Sequence, residues 1–180
     1  MKKIILTVFA ATSLLLYSTP SFAISLSVGV PVAASIKGDD GNAEADGASG
    51  YFLGVQLPFG LGLGMDSHKT KFKDDSTLKV ATSMYNLYYQ LPVPVVSLIL
   101  GLGTGNSNYD CPDEGYGTCA ENYDKGAATQ WYTSIGFPII PFFDIHLSYR
   151  SITSKNIKDP SGSKYDVSGT VTGIGLAFNF

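Results

Sequence analysis

Four polar residues occupy alternate positions near the end of the chain: Asp144, His146, Ser148 and Arg150. Residues two apart in an extended strand point to the same face, so these side chains share one face. A histidine beside a serine hydroxyl can act as a base and activate that oxygen as a nucleophile. A carboxylate and a guanidinium on one face can equally form a buried ion pair. The pattern predicts either a hydrolytic site or an interior polar network.

The polar network is the favoured interpretation of this face. Charges enclosed in protein must be paired, and Arg150 has Asp144 and Asp66 as candidate partners. Under this interpretation no residue is assigned a catalytic, cofactor-binding or metal-binding role. The residues expected to join the network from other strands are Asp66, Gln130 and Tyr132.

Two cysteines, Cys111 and Cys119, lie in one polar segment rich in Gly, Asp and Tyr. In an exported protein such a pair is expected to form a disulfide that closes a small loop. Free thiols are the alternative, which an oxidising compartment disfavours. Two cysteines alone lack the further ligands that a zinc site needs.

An acidic segment, residues 39–46, offers oxygen ligands at alternate positions, and calcium favours such ligands. Ala45 stands where a helix-loop-helix calcium loop needs glycine, and Tyr51 stands where it needs glutamate. A solvated acidic loop is therefore expected. Divalent ions that bridge its carboxylates to lipopolysaccharide phosphates are the alternative.

A pattern of period two runs along the chain and predicts its elements. In the last segment Ile174, Leu176 and Phe178 alternate with glycine, alanine and asparagine. Seven segments upstream repeat this alternation of bulky apolar residues with small or polar ones. The eight predicted strands are residues 25–32, 51–57, 61–66, 85–91, 98–103, 130–137, 143–150 and 173–180.

The connections between these strands alternate in length. Three are short and contain proline, and four are long and polar. Short turns at one end and long loops at the other are typical of membrane barrels. The short connections are residues 57–60, 91–94 and 137–141, and the long ones lie near 37–50, 66–78, 104–126 and 151–165.

Residues 1–23 have the features of a cleaved secretory signal peptide: two lysines, an apolar core and the tripeptide Ser21-Phe22-Ala23. The apolar core is shorter than a membrane-spanning helix requires. Removing Lys2 and Lys3 from the 12 basic residues leaves 10 against 15 acidic residues, a net charge of −5. A mildly acidic chain without a basic cluster argues against nucleic acid as a partner.

The alternation predicts an all-β fold for residues 24–180, a closed antiparallel transmembrane β-barrel of about eight strands. The sheet must close because an unpaired backbone amide in hydrocarbon costs several kcal/mol. A glycine-lined face suits the narrow interior of such a barrel. A β-sandwich is the alternative, and its glycine-lined core would be poorly filled.

The last six residues carry the most specific motif, with Gly175, Phe178 and Phe180 in the spacing of a C-terminal assembly signal. In this motif and in its strand pattern the chain resembles the small eight-stranded outer-membrane barrels, a group that includes OmpX and the membrane domain of OmpA. The resemblance implies short periplasmic turns, longer extracellular loops, a location in the bacterial outer membrane, and contact with its assembly machinery.

The pair His146 and Ser148 is also similar to the His-x-Ser pair of lipid A 3-O-deacylase, an outer-membrane barrel. That enzyme's pair faces lipid, where its substrate lies. Here the pair faces the interior if Ile145, Leu147 and Tyr149 face lipid. A lipid A-modifying hydrolase therefore remains an alternative that requires His146 to face outward.

Aromatic residues are expected near both ends of the strands. Tyr51, Trp131 and Tyr149 fall toward the long loops, and a second set falls toward the short turns. Aromatic belts at the two interfaces are typical of membrane barrels.

The long loops differ in charge. Residues 37–49 and 106–126 are net acidic, whereas residues 68–76 and 151–164 are net basic. The basic loops are expected to meet lipopolysaccharide phosphates, and ordinary charge scatter is the alternative. The lysines concerned are Lys69, Lys71, Lys73, Lys155 and Lys158.

The expected function is that of a non-enzymatic surface barrel, without a cofactor, in a structural or adhesive role. Its loops would contact lipopolysaccharide, host molecules or neighbouring surface proteins. A small-solute conduit is a further alternative, although eight strands leave an interior that side chains can fill.

Overall fold

The computed structural model describes residues 24–37, 44–73, 78–93, 95–110, 124–158 and 162–180. In these ranges eight antiparallel strands pair in sequence order, and the first pairs with the last to close a barrel. The predicted fold class is confirmed. The strands are β1 Ser25–Lys37, β2 Ala45–Gln56, β3 Leu61–Phe72, β4 Lys79–Leu91, β5 Ser97–Asp110, β6 Gly126–Ile140, β7 Phe143–Lys158 and β8 Lys164–Asn179.

Both ends of the barrel chain meet at the end that carries the short turns. Ser25 of β1 lies opposite Asn179 of β8, and the Phe180 amide donates to the Ile24 carbonyl at 2.9 Å. An even number of strands produces this arrangement. Among the described residues, no helix has the length and apolarity needed to cross a membrane.

The third short connection differs from its prediction. β6 continues to Ile140, and the turn consists of Pro141 and Phe142. Pro138 is therefore a strand residue opposite Asp144, next to a register shift between Pro138 and Ile140. Proline is tolerated there because the irregular ladder needs no hydrogen bond from it.

The strands extend well into the segments predicted as long loops. β2 begins at Ala45, β3 ends at Phe72, and β5 ends at Asp110. The period-two pattern persists in these extensions, but their outward residues are polar, so they look like loops in the sequence. Lys69 and Lys71 consequently lie in β3, and Lys155 and Lys158 lie in β7, where loops were predicted.

Three β-bulges exchange the inward and outward faces of their strands toward the long-loop end. The one in β2 lies between Ala45 and Ala48 and turns Ala45 toward the interior. In β1 the register shifts between Pro31 and Ala33, after which Ile36 faces inward and is buried. In β7 the shift lies between Ser154 and Ile157, and Ile157 becomes fully buried. A bulge adds one residue to a strand and so exchanges its two faces beyond that point.

The outer surface carries an apolar band bounded by aromatic residues. Along each strand the bulky apolar side chains are exposed and their neighbours in sequence are mostly buried. Trp131 and Tyr149 are in contact at the edge of the band nearer the long loops, with ring centroids 5.8 Å apart. Beyond that edge the outward residues are small and hydroxylated: Ser49, Ser67, Ser83, Thr104, Thr129 and Thr153.

Glycines in the wall make room for aromatic side chains inside the barrel. A Cβ atom on Gly62 would lie 2.1 Å from Cζ of Tyr88, and one on Gly101 would lie 2.2 Å from Cε1 of Tyr132. Both rings are buried and pack edge-to-face at 6.4 Å. Small residues on one strand thus let large residues on the next strand fill the interior.

Candidate functional site

An ion pair between Arg150 and Asp66 lies at the centre of the barrel interior. Nε of Arg150 donates to Oδ2 of Asp66 at 2.9 Å, and both side chains are buried. Of the two partners predicted for Arg150, Asp66 forms the pair. The ion pair thereby links β3, which carries Asp66, to β7 across the barrel interior.

Amide side chains extend this pair across the barrel. Nε2 of Gln130 donates to Asp66 at 2.6 Å and to Oδ1 of Asn86 at 2.5 Å. Nη1 of Arg150 donates to Ser148 Oγ at 2.5 Å, and that hydroxyl donates to the Gly173 carbonyl at 3.3 Å.

The Arg150 guanidinium also stacks against aromatic rings. Its Cζ lies 3.5 Å from the centroid of the Phe52 ring and 5.0 Å from that of Tyr132. Guanidinium on an aromatic face is a stabilising contact, and it is stronger away from water. Phe52 was not among the predicted network residues, although its parity on β2 puts it on the inward face.

Asp144 and His146 form a second polar group nearer the short turns. Ser97 Oγ donates to Oδ2 of Asp144 at 3.0 Å, and Nδ1 of His146 lies 3.3 Å from Ser134 Oγ. Nε2 of His146 lies 3.8 Å from Asp144. Gln90 completes the group by donating to Ser97 at 3.3 Å. Asp144 thus bonds a serine and faces a histidine instead of pairing with Arg150.

The seven residues predicted for the interior face are all buried there: Asp66, Gln130, Tyr132, Asp144, His146, Ser148 and Arg150. His146 is 8% exposed and faces inward. Ser148 bonds to Arg150 and to a carbonyl, whereas His146 bonds to Ser134. This geometry does not meet the requirement of the hydrolase interpretation, which needs the pair on the lipid-facing side.

The interior at the long-loop end is closed by an apolar layer that the sequence analysis did not predict. Four buried residues form it with three partly buried ones that pack against them. Seven strands each contribute one side chain, and β6 contributes Gly126, where a Cβ would lie 2.6 Å from Ile157. The layer consists of Ile36, Ala45, Phe72, Val80, Tyr109, Ile157 and Val167.

Lysines line the outer face of the same end. Lys69, Lys71 and Lys73 follow one another at alternate positions on and just beyond β3, and all are exposed, whereas His68 and Thr70 are buried. Lys69 pairs with Asp110 of β5 at 2.6 Å.

Lys71 lies directly opposite Lys79 in the β3–β4 ladder, and Lys79 was not in the predicted set. Like charges that face each other across strands are destabilising. Neither lysine has an ion-pair partner in the described parts of the chain. A second such pair, Lys158 and Lys164, lies in the β7–β8 ladder, four strands away.

One ion pair links the first two long connections. Lys73 bonds to Glu44, and this hydrogen bond and charge lower the pKa of the Glu44 carboxyl. Lys69–Asp110 likewise links β3 to β5. The alternation of acidic and basic segments around the rim therefore produces attractive contacts between neighbours.

No protein-family model matches the sequence, and no curated protein matches it. Solved structures do share its fold. The crystal structure of Neisserial surface protein A matches over 89% of this chain and 97% of that one, with a TM-score of 0.67 and 13% identity. The crystal structure of OprG from Pseudomonas aeruginosa has the same coverage and identity, with a TM-score of 0.51. The solution structure of outer membrane protein W from E. coli covers 90% and 100%, with a TM-score of 0.52 and 10% identity. The chain has the fold of a small outer-membrane β-barrel.

In an outer-membrane barrel the short turns are periplasmic and the long loops extracellular. The apolar band is then the lipid-facing surface, and the apolar layer and the lysines lie at the extracellular end. Tyr51, Trp131 and Tyr149 mark the outer interface. The lysines therefore lie beyond the hydrocarbon, on the extracellular side of the outer aromatic residues.

The C-terminal residues of the barrel lie at the periplasmic end. Phe178 packs against Phe143 with ring centroids 4.3 Å apart, Gly175 pairs with Gly29 and His146, and Phe180 is exposed. The signal peptide, the predicted disulfide between Cys111 and Cys119, and most of the acidic segment 39–46 lie outside the described residues.

We expect no single-channel conductance from the purified barrel in a planar bilayer. The apolar layer closes the extracellular end, and the cavity beneath the Arg150 network has a volume of about 60 Å³, room for a few water molecules only. Reproducible conductance steps in the absence of denaturant would contradict this expectation.

Proposed function

We propose that this outer-membrane barrel is a non-enzymatic surface protein whose extracellular rim binds lipopolysaccharide through its outward lysines. The observation that supports the proposal most is the pair Lys71 and Lys79, two like charges directly opposite each other on the outer face. An anion between them would convert a repulsive pair into two favourable contacts.

The location of the pair suits a phosphorylated lipid. Both lysines lie on the same wall as the apolar band and beyond its aromatic edge, on the extracellular side of the hydrocarbon where lipopolysaccharide carries its phosphates. Lys69 and Lys73 flank the pair, and each is already held by an acidic side chain. Lys79 also lies opposite Asp110 in the β4–β5 ladder, but Asp110 pairs with Lys69. The site thus offers two facing lysines that form no ion pair with any of the described residues.

The test compares two variants of equal charge. Lys71→Gln/Lys79→Gln removes the facing pair, and Lys37→Gln/Lys125→Gln removes two exposed lysines from β1 and the residues before β6. Binding of lipopolysaccharide to the protein in detergent is measured by native mass spectrometry or titration. We expect the first variant to bind at least about tenfold more weakly, since a bond to a charged group is worth roughly 1.5–3 kcal/mol.

The control variant should bind as the unmodified protein does. A loss of equal size in both variants would show that only net charge matters. No loss in either variant would refute the proposal. Lipopolysaccharide with dephosphorylated lipid A should bind the unmodified protein as weakly as intact lipopolysaccharide binds Lys71→Gln/Lys79→Gln.

A further inference from the structure

The three periplasmic turns of the barrel carry no charged side chain and expose large apolar ones. The exposed fraction is 84% for Val95 and 69% for Phe142. We call this surface the apolar tip. It consists of the turn residues Phe59, Val93, Val95 and Phe142 together with Ile139 and Ile140 at the end of β6.

Each turn holds one bulky apolar residue in the left-handed region of backbone conformation. The φ angle is 72° for Phe59, 75° for Val95 and 81° for Phe142. Glycine or asparagine is the usual choice for such turn positions, and a bulky or β-branched residue there is strained. Strained backbone conformations of this kind are concentrated at functional positions. All three turns have a bulky apolar residue where glycine or asparagine is usual. This shared feature indicates that the turns need apolar side chains.

The height of the lipid-facing band supplies an independent argument. On β6 the outward apolar residues run from Trp131 at the outer interface to Ile139, eight positions further along the strand. Eight positions rise about 26 Å along a strand, or about 20 Å along the barrel axis at the usual tilt. The hydrocarbon-facing band of an outer-membrane barrel is about 25 Å tall. Only the turns can supply the missing height without placing polar residues in lipid.

We propose that the apolar tip is immersed in the periplasmic leaflet of the membrane, with phospholipid acyl chains as its occupant. The tip is continuous with the apolar band, so one lipid-facing surface runs from the outer aromatic residues to the ends of the turns. The barrel accordingly ends within the leaflet instead of projecting into the periplasm. This inference is independent of the lysines at the opposite end.

The test uses single tryptophans in a Trp131→Phe background. Phe142→Trp and Val95→Trp place the probe in two turns, and Thr153→Trp places it on an outward position above the aromatic edge. Each protein is folded into phosphatidylcholine vesicles with or without bromine on the acyl chains. We expect both turn tryptophans to emit at shorter wavelength than free tryptophan and to lose intensity in brominated vesicles. The tryptophan at 153 should respond instead to aqueous iodide.

Two results would overturn the proposal. Turn tryptophans quenched by iodide and unaffected by bromine would place the tip in water. Bromine quenching at position 153 together with a water-exposed tip would show that the whole barrel is displaced toward the periplasm. Folding of every variant is checked by the shift in electrophoretic mobility between heated and unheated samples, so that only folded protein is compared.

Discussion

Replacing Arg150 with methionine is expected to lower the free energy of unfolding of the barrel by about 3–5 kcal/mol. The substitution removes the cation that pairs with Asp66, and Asp66 is 1% exposed, so its carboxyl group is left buried without a counter-ion. The stacking on Phe52 is lost as well. Urea unfolding in phospholipid vesicles, followed by Trp131 fluorescence, measures the change.

The matched control removes both charges. In Arg150→Met/Asp66→Asn no buried charge is left unpaired, and Gln130 can still bond to the amide at position 66. We expect the double variant to recover most of the lost stability, because the main cost in the single variant is the orphaned carboxylate. A single variant that loses less than about 1 kcal/mol would behave like an exposed ion pair, contrary to the described burial.

Replacing Gly105 with valine is the second change with a large expected effect. A Cβ atom at Gly105 would lie 1.9 Å from the Ser83 carbonyl oxygen and 2.8 Å from Cα of Met84. Both atoms belong to the backbone of β4, which cannot move aside as a flexible side chain could. We expect a loss of at least about 3 kcal/mol, at the upper end of the cost of overpacking, and a reduced yield of folded barrel.

Ala127→Val is the control for this substitution. Ala127 lies on the neighbouring strand β6, faces outward and is exposed, so the added methyl groups meet no backbone. Its unfolding free energy should change by no more than about 0.5 kcal/mol. Equal losses in Gly105→Val and Ala127→Val would show that β-branching on these strands, and not the close approach of β4, is responsible.

The barrel was predictable because its signal is local. Alternation such as that of Ile174, Leu176 and Phe178 depends only on the period of a strand and on lipid at one face. The same parity puts Asp144, His146 and their neighbours on the inward face, and there they are buried. The sequence could not predict that Arg150 pairs with Asp66 and not with Asp144. The pairing depends on the stagger between strands that are far apart in the chain.

Strand ends and bulges were harder to predict for a different reason. Beyond the aromatic edge the outward residues become polar, so Lys69 and Lys71 look like loop residues although Thr70 between them is buried. A bulge then exchanges the two faces, and a fixed parity assigns Ile36 and Ile157 to the wrong side. The apolar layer was missed because both effects act where its residues lie.

Lipid surrounds the periplasmic part of the barrel wall and water surrounds its extracellular part, yet the hydrogen-bonded ladders between strands continue from one part into the other. Below the aromatic edge the exterior is apolar and the interior holds the Arg150 network, whereas at the long-loop end Ile36, Val80, Ile157 and Val167 form an apolar interior beneath a hydrophilic exterior. The extracellular end of the barrel thus resembles a water-soluble barrel, with an apolar interior and a polar exterior. The membrane-embedded part has the opposite arrangement. Two residues added to every strand on the extracellular side of the aromatic edge would raise the rim by about 5 Å and leave the membrane-embedded part of the barrel unchanged. The reach of the rim above the membrane can therefore evolve separately from the anchor that holds it there.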